Sequence, residues 1–448
     1  MQQYKMLRQL GKAAFAALIC CILLMMSIPA LAQSGALVAF VNNSGQLIVN
    51  SADGSYRWIV TNPDETLVPQ IGYTWSPSGN QLFFAVNVYG AISLRFANPG
   101  SQAVYEAAQI SGGTLSGGAW TPDGRGVVFS DGNTIRLLGT DSSLTDLISG
   151  QAGARVFSPY ADSRPNLPGA EVFSADGRYL FYQQGDSRYA VAALDGSSAF
   201  PLPGSNDANV RESGLWSSVA PLVAYWGYEG NSILSVTNAA NGQTVTLDSG
   251  RATPITPILW RPNSTQLLYR DASGYVRAAD MGCLNGGCAA NPLESGVEAL
   301  PPTAMEITTD GASLYYQDGY NLMAVSMSCI DSASCAGSAV MLAGNAAPGM
   351  MVNVGGPMLA YTGFAANPSD TNDRLAQFVQ LNGCQASGGC AAMSAGPGMT
   401  GLVAGSGSAA VVDIPGSGLQ AINLASGTAA YLSDSLGMAG LVGARWNS

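Results

Sequence analysis

The residues of this chain that could do chemistry are its carboxylates and its cysteines. The 448-residue sequence contains no histidine, and its lysines are Lys5 and Lys12, close to the N-terminus. Histidine is the commonest general acid or base and a frequent metal ligand, and lysine forms Schiff bases. The composition therefore excludes Ser-His-Asp triads and histidine-ligated zinc, and chemistry based on carboxylates is what it leaves.

Three of the carboxylates occupy one position of a recurring motif. Asp123, Asp176 and Asp310 each stand directly before a glycine, which favours a structural role in a tight turn. Glycoside hydrolysis needs two carboxyl groups about 5–9.5 Å apart, so carboxylates that meet in one channel would support a carboxylate-dependent carbohydrate-active enzyme. A channel lined by alanine, serine and glycine would oppose it. On this balance we predict that the chain is not an enzyme and has no cofactor.

The cysteines beyond the N-terminal segment form three close pairs in three consecutive repeat units. In an exported protein, an even number of cysteines at short spacings is typical of disulfides. Each pair is predicted to clip the connection between the third and fourth strands of its unit. Zinc is the alternative, but zinc pairs usually have two to four intervening residues and histidine partners. The pairs are Cys283 with Cys288, Cys329 with Cys335, and Cys384 with Cys390.

Two segments are longer than the repeat requires, residues 158–169 and residues 364–374. Long loops on a rigid scaffold often carry recognition, and a tolerated insertion is the alternative. In the second segment Asp370, Asn372 and Asp373 could offer oxygen ligands to Ca²⁺, although their spacing is not that of an EF-hand. This is the one metal site that the sequence suggests.

A short motif led by an aromatic residue recurs along the chain. Trp75-Ser76-Pro77-Ser78-Gly79 precedes an apolar, strand-like run, and similar copies begin at Trp120 and Phe173. After each run come a polar turn and further short strands. Weaker or degenerate copies begin at or near Trp216, Trp260, Ile307, Asn353 and Gly405.

Four short strands in a unit of about 40 to 53 residues are typical of β-propeller blades. The Trp/Phe-Ser-Pro-Asp-Gly pattern resembles the TolB-type, WD-repeat-like propeller repeat over nearly all of residues 36–448. The resemblance implies an architecture and leaves the activity open. It also implies that the leading aromatics pack between neighbouring blades, although a sugar-stacking platform is the alternative. These aromatics are Trp75, Trp120, Phe173, Trp216, Trp260 and Trp446.

The two ends of the repeat region predict a closed ring. Residues 37–41 have the pattern of a second strand without a first, and residues 443–448 have the pattern of a first strand. Shared in one blade, they would remove exposed sheet edges. The predicted fold is all-β, a single β-propeller of four-stranded blades, nine by repeat count with eight as the alternative.

The N-terminal segment predicts export. A basic start is followed by an apolar stretch and Ala30-Leu31-Ala32, which is typical of a signal peptide covering residues 1–32. A retained membrane anchor is the alternative, and no later segment is apolar for long enough to span a bilayer. Residues 33–448 would then form the propeller domain, secreted, on the cell surface or in the periplasm.

Charge and architecture together indicate the class of function. The net charge is −11, and a nucleic-acid binder needs a basic face, so nucleic acid is not an expected partner. We expect a non-catalytic propeller that binds a protein or a glycan at its ring face or long loops, or that serves as a surface scaffold and self-associates. The alternatives are the carboxylate-dependent enzyme and a periplasmic envelope-complex partner similar to TolB.

Overall fold

We describe the chain from a computed structural model. The structure describes residues 36–150, 152–157, 172–186, 188–205, 215–228, 231–251, 258–271, 273–285, 293–298, 305–308, 310–355, 358–364, 374–380, 392–397, 399–400, 409–414, 417–423, 426, 428–434 and 445–446. The segment predicted to be a signal peptide lies outside these residues. Within them, no helix is long and apolar enough to cross a membrane.

The described residues form nine antiparallel sheets, numbered 1 to 9 in chain order, with almost no helix. Most consecutive strands of a sheet are joined by short turns, which is why glycine and polar residues separate the apolar runs. The strands of sheets 1 to 4 are β1 (Leu37–Val41), β2 (Leu47–Ser51), β3 (Arg57–Ile59), β4 (Thr66–Leu67), β5 (Tyr73–Trp75), β6 (Leu82–Val88), β7 (Ala91–Asn98), β8 (Ala103–Ile110), β9 (Ser116–Trp120), β10 (Gly126–Ser130), β11 (Ile135–Gly139), β12 (Leu144–Ile148), β13 (Tyr179–Gln183), β14 (Tyr189–Ala193) and β15 (Ala199–Pro201).

Sheets 5 to 9 follow the same plan. Their strands are β16 (Leu215–Trp216), β17 (Leu222–Tyr228), β18 (Ser232–Asn238), β19 (Thr244–Arg251), β20 (Ile258–Trp260), β21 (Gln266–Arg270), β22 (Tyr275–Asp280), β23 (Leu293–Glu298), β24 (Met305–Ile307), β25 (Ser313–Asp318), β26 (Asn321–Ser326), β27 (Val340–Ala343), β28 (Ala346–Gly355), β29 (Met358–Phe364), β30 (Arg374–Gln380), β31 (Ala392–Pro397), β32 (Met399–Thr400), β33 (Ala409–Ile414), β34 (Gly418–Asn423) and β35 (Ala429–Ser433). A 3-10 helix (Gly282–Asn285) and helix α1 (Met327–Asp331) lie between the third and fourth strands of sheets 6 and 7.

The last strand, β36 (Arg445–Trp446), belongs to the first sheet. It pairs with β1 through Val38 opposite Trp446 and Ala39 opposite Arg445, so sheet 1 has the order β3-β2-β1-β36. The N-terminal strand is therefore the second strand of its sheet, and the C-terminal strand is the first.

The core lies between the sheets, because alternate residues of each strand face opposite neighbours. Tyr73 and Phe84 of sheet 2 pack with Leu37 and Val49 of sheet 1 in one buried cluster. Similar clusters join later sheets in sequence. Val411 of sheet 9 and residues around it pack against sheet 1 in turn, so the first and last sheets are in contact.

The outer strands are protected from pairing with other chains. In seven of the described sheets the register between the two outermost strands shifts, as between Leu94 and Arg95 in sheet 2. Such bulges twist an edge strand away from a flat, pairable geometry.

Because the strands are antiparallel, the turns of every sheet lie at two different ends of its strands. Turns between the first and second strands, and between the third and fourth, lie at one end of the strands, which we call the motif edge. Turns between the second and third strands, and the connections to the next sheet, lie at the other, which we call the variable edge. The repeated motif turns therefore share one edge and leave the variable edge free of them.

Candidate functional site

The motif turns are closed by their own side chains. In sheet 4 the Ser174 hydroxyl donates to Asp176 at 2.6 Å and accepts the Tyr179 backbone N–H at 3.0 Å, while Asp176 accepts the Arg178 backbone N–H. In sheet 7 the Thr308 hydroxyl and the Ala312 backbone N–H both donate hydrogen bonds to Asp310. These hydrogen bonds hold the pKa of the Asp310 carboxyl below its usual value. Asp53 in the Ser51–Ser55 turn and Asp123 in the Thr121–Arg125 turn accept similar hydrogen bonds. These carboxylates stabilise turns.

Consecutive motif turns also stack on one another. A Cβ added at Gly124 would lie 3.8 Å from Cδ of Pro77 in the preceding sheet, and one added at Gly177 would lie 3.5 Å from Pro122. Both glycines have positive φ values, 71° and 67°, which other residues adopt only at a cost. The proline and glycine of the motif therefore serve contacts between sheets.

The leading tryptophans serve the same contacts. Trp75, Trp120 and Trp216 are at most 8% exposed, and Trp260 and Phe173 are partly buried against neighbouring sheets. The indole Nε1 of Trp120 donates to the Thr74 carbonyl oxygen at 3.0 Å. The described rings therefore pack against neighbouring sheets, three of them almost fully buried and two partly buried. The Trp446 side chain lies outside the described residues.

One predicted disulfide is present. Cys329 and Cys335 are bonded across the connection that follows β26, and Cys335 is 2% exposed. Asp331 of the intervening helix α1 receives two hydrogen bonds from Arg261 in sheet 6, at 3.0 and 3.1 Å, so this clip also ties two sheets together. Cys283 is disulfide-bonded, and its predicted partner Cys288 lies outside the described residues, as do Cys384 and Cys390.

The suggested calcium ligands Asp370, Asn372 and Asp373 lie outside the described residues, between β29 and β30. Residues 158–169 lie outside them too. In the part of the chain that the structure describes, no group of three or more acidic or sulfur ligands could hold a metal ion.

The structure links two carboxylates that the motif analysis missed, Glu65 and Glu106. Glu65 Oε1 accepts a 2.7 Å hydrogen bond from Arg95, Arg95 Nε donates to Ser93, and Ser93 donates to Glu106 at 2.5 Å. Burial opposes ionisation of Glu65, but the Asn62 backbone N–H and Arg95 lower the pKa of its carboxyl. With Ser93 fully buried and the Glu65 side chain 8% exposed, this network joins strands of sheet 2.

The variable edge carries an aromatic residue that contributes little to packing. Tyr89 lies at the tip of the β6–β7 hairpin and is 97% exposed. Its φ of +51° and that of Gly90, +90°, are the positive values that a two-residue type I′ turn requires. For a residue other than glycine, asparagine or aspartate, this left-handed conformation costs about 1–2 kcal/mol. Tyr89 thus combines local strain with full exposure of an aromatic ring.

A polar groove lies at the same edge, between sheets 2 and 3. Its volume is about 430 Å³, within the range of about 300–1,000 Å³ for small-ligand sites. Tyr89 is not part of the lining, but the hairpin register places it at the same edge of sheet 2, since Asn87 pairs with Ile92 and Ile92 pairs with Ile110 in the groove wall. The lining residues are Gln109, Ile110, Ser111, Gly112, Gly113, Asp131, Asn133 and Arg136.

Asp131 and Arg136 of this lining belong to a charged triad of sheet 3, whose third member, Asp146, contacts Arg136 and is not part of the lining. Asp131 Oδ1 accepts the backbone N–H groups of Asn133 and Thr134 at 3.0 and 2.9 Å, and Oδ2 lies 3.0 Å from Arg136 Nη1. Arg136 Nε donates to Asp146 at 2.8 Å. Two carboxylates around one guanidinium leave a net negative charge, and the side chain of Asp146 is 55% exposed. Tyr89 and this groove are the candidate functional site.

Sequence patterns could not have located this site. Tyr89-Gly90 stands inside an apolar run and lacks the Asn-Gly or Asp-Gly signature of a hairpin turn. Gln109, Asp131 and Arg136 meet only because two neighbouring sheets pack together. An aromatic residue directly before a glycine was the one available signal, and Trp226-Gly227, whose tryptophan is buried, carries the same signal.

Comparison with known proteins supports the fold. No protein-family model matches this chain, and neither does any curated protein. A solved eukaryotic initiation factor superposes with a TM-score of 0.53 at 8% identity, over 92% of this chain and 99% of that one. Dipeptidyl peptidase 4 from Porphyromonas gingivalis gives 0.52 at 10% identity, over 79% of this chain and 57% of that one.

The structural neighbours also include TolB from Acinetobacter baumannii, with a TM-score of 0.34 at 14% identity and 62% of each chain covered. This chain spans less than two thirds of the TolB and peptidase chains. At these identities the likeness shows a fold, and the fold is all-β and propeller-like. Membership of the TolB-type repeat family stays a prediction.

The comparison corrects one prediction. We predicted that the chain is not an enzyme, partly because of its propeller architecture, and that prediction is wrong, because a dipeptidyl peptidase shares the fold. An architecture of this kind supports both binding proteins and enzymes. The lack of histidine excludes particular mechanisms, and it does not exclude catalysis.

Proposed function

We propose that residues 33–448, released from a signal peptide at residues 1–32, form one nine-bladed propeller that binds a protein partner through its variable edge. Export is supported by the Cys329–Cys335 disulfide, since such bonds persist in oxidising compartments such as the periplasm, the cell surface or the medium. The nine-bladed count is supported by the nine described sheets.

Ring closure is the first element of this proposal. It is supported by the pairing of β36 with β1, by the shared core of sheets 9 and 1, and by the Asn50 side-chain amide, which donates to the Leu432 carbonyl oxygen at 3.2 Å. A closed ring fixes every variable edge on one face. The hairpin tips of that face then form one continuous surface.

The observation that carries the binding proposal is Tyr89. Tyrosine is enriched at protein interfaces because its rigid, amphipathic ring gives a large contact area at a low entropic cost. At this position the residue strains the turn and packs against little, so it destabilises the free protein slightly. Such a residue contributes favourable free energy when it contacts a partner.

The groove beside Tyr89 favours a protein over a glycan. Tyr89 is a single exposed ring, and the motif tryptophans that would add further stacking surface pack against neighbouring sheets. The groove offers the ion pair of Asp131 and Arg136 and the backbone of Gly112 and Gly113, whose φ values are +79° and +96°. A partner's main chain and side chains could bind these groups.

The test is photo-cross-linking in the cells that produce the protein. A benzophenone amino acid replaces Tyr89 in one variant and Tyr431, an exposed tyrosine at 55% on outer strand β35, in the control. We expect one defined protein adduct from position 89 and none of that mass from position 431. Equal capture from both positions, or glycan adducts alone, would contradict the proposal.

A further inference from the structure

We infer that the groove between sheets 2 and 3 takes an extended peptide segment of the partner that carries a basic side chain and is free of acidic residues. This inference rests on the proposed protein-binding function and names the chemistry that the site would recognise. Its basis is the arrangement of donors, acceptors and charge along the groove.

The wall of the groove offers both hydrogen-bond donors and acceptors. The side-chain amides of Gln109 and Asn133 each present a carbonyl and an NH₂ group, and Ser111 adds a hydroxyl. Gly112 and Gly113 have no side chains to cover their peptide groups. Donors and acceptors together on one groove wall suit the backbone of an extended peptide, as in other modes of strand-like recognition.

The walls are fixed before any ligand arrives. A Cβ at Gly113 would lie 2.9 Å from the Asp131 carbonyl oxygen, so the connection between the sheets is in close contact with the β10–β11 turn. Asp131 in turn holds that turn through the Asn133 and Thr134 backbone N–H groups. A preformed site lowers the ordering cost of binding.

The charges around the groove determine whether a positively or a negatively charged ligand side chain is favoured. Arg136 is already flanked by Asp131 and Asp146, and Glu106 approaches Gln109 at 3.5 Å. A ligand carboxylate at Arg136 would meet these carboxylates, and like charges repel. A guanidinium or ammonium group of the ligand would instead find Asp146, which is more than half exposed. A chain with a net charge of −11 also attracts basic partners over longer distances.

Tyr89 adds an aromatic face next to the groove. Cations stack on tyrosine rings with about 0.5–1 kcal/mol at exposed sites. A basic side chain of the bound segment that reaches this ring would gain that stacking energy in addition to its attraction to the carboxylates around Arg136. Neutral and acidic side chains would gain neither contact.

The experiment uses a phage-displayed library of random linear peptides, selected on the full mature protein. Enriched peptides should carry arginine or lysine and lack aspartate and glutamate. Affinity for a synthetic copy of the best peptide should fall about tenfold in Asp146→Asn, the loss of one charge-assisted contact. Replacing the basic residue of the peptide by glutamine should have a similar effect.

Asp186→Asn is the matched control. The side chain of Asp186 is 56% exposed, lies 3.4 Å from Arg188 and belongs to the turn between β13 and β14 of sheet 4, so its loss changes the net charge equally but at another place. Unchanged affinity in this variant supports the inference. Enrichment of acidic peptides, no enrichment, or equal losses in both variants would overturn it. If the cross-linked partner from position 89 persists in those cases, protein binding stands and the basic-peptide inference falls.

Discussion

The indole Nε1 of Trp120 donates a hydrogen bond of 3.0 Å to the backbone carbonyl oxygen of Thr74, one residue before the equivalent tryptophan of the preceding sheet. The same relationship recurs three sheets further along, where Trp260 donates to Leu215, directly before Trp216, at 2.8 Å. The motif tryptophan therefore donates a hydrogen bond to the strand that carries the motif tryptophan of the preceding sheet. A repeat that contacts itself in this way stacks sheets in order.

This bond predicts the cost of losing the indole N–H. Trp120→Phe keeps an aromatic ring but leaves the Thr74 carbonyl without this donor, so the free energy of unfolding should fall by about 1–2 kcal/mol. Trp260→Phe should lose a similar amount. Urea unfolding followed by circular dichroism measures both, with Trp58→Phe on outer strand β3 as the control. Equal losses in all three variants would show that ring size, and not the bond, is responsible.

The motif glycine makes a second prediction. Gly177→Ala places a Cβ on a residue with φ of +67° and against Pro122, so we expect a loss of about 1–2 kcal/mol. Gly344→Ala is the matched control, because Gly344 does not have a positive φ and its nearest neighbour would lie 4.0 Å away. The difference between the two urea midpoints is the measurement. A stable Gly177→Ala protein would contradict the turn geometry.

Acid stability should depend on the turn carboxylates. The Ser51 and Ser55 hydroxyls lower the pKa of Asp53 from 3.8 to about 2. A carboxyl whose pKa is lower in the folded state contributes stability above its unfolded pKa, and this contribution is lost as the pH falls through the folded value. The advantage of the wild type over Asp53→Asn should therefore be present at pH 7 and disappear between about pH 4 and pH 2.

The size of that effect is small because Asp53 is exposed and salt screens it. Asp64→Asn, an exposed acid outside the motif turns, is the control for the change in net charge. Urea midpoints for the three proteins across this pH range provide the test. A pH-independent difference between wild type and Asp53→Asn would be inconsistent with the hydrogen-bonded turn.

Much of this fold could be predicted from local signals. The motif at Trp75 to Gly79 correctly predicts a turn followed by a buried strand, because glycine, proline and small polar residues restrict the backbone within five positions. The pairing partner of residues 37–41 could be inferred because a lone second strand needs a first. Relationships between sheets, such as Trp120 with Thr74, are separated by tens of residues and leave no local pattern.

The candidate site was beyond prediction for the same reason. Asp131 has the local signature of a turn acid, and nothing in the sequence near it indicates Gln109 or Gly113 across the groove. The sequence pointed instead to long loops and to Asp370, Asn372 and Asp373, since length and acidity are visible without a structure. The positive φ of Tyr89 becomes apparent only in the folded hairpin.

Ring closure has its own test. Cysteines introduced as Ala39→Cys with Arg445→Cys, or as Val38→Cys with Trp446→Cys, occupy facing positions of β1 and β36, and facing residues of antiparallel strands lie about 4.5–5.5 Å apart. We expect at least one pair to form a disulfide that circularises the chain, seen as a faster band on non-reducing gels. The offset pair Phe40→Cys with Arg445→Cys should not. Failure of both facing pairs would refute closure by the termini.

The claim that the variable edge is the binding surface is tested most directly by Tyr89→Asn. Asparagine suits the positive φ of this turn, so the variant should unfold at an equal or higher urea concentration than the wild type. Its affinity for the partner cross-linked at position 89 should nevertheless fall at least about tenfold, in line with the loss of an exposed aromatic anchor. Tyr431→Asn should bind as the wild type does. An unchanged affinity in Tyr89→Asn would contradict the account.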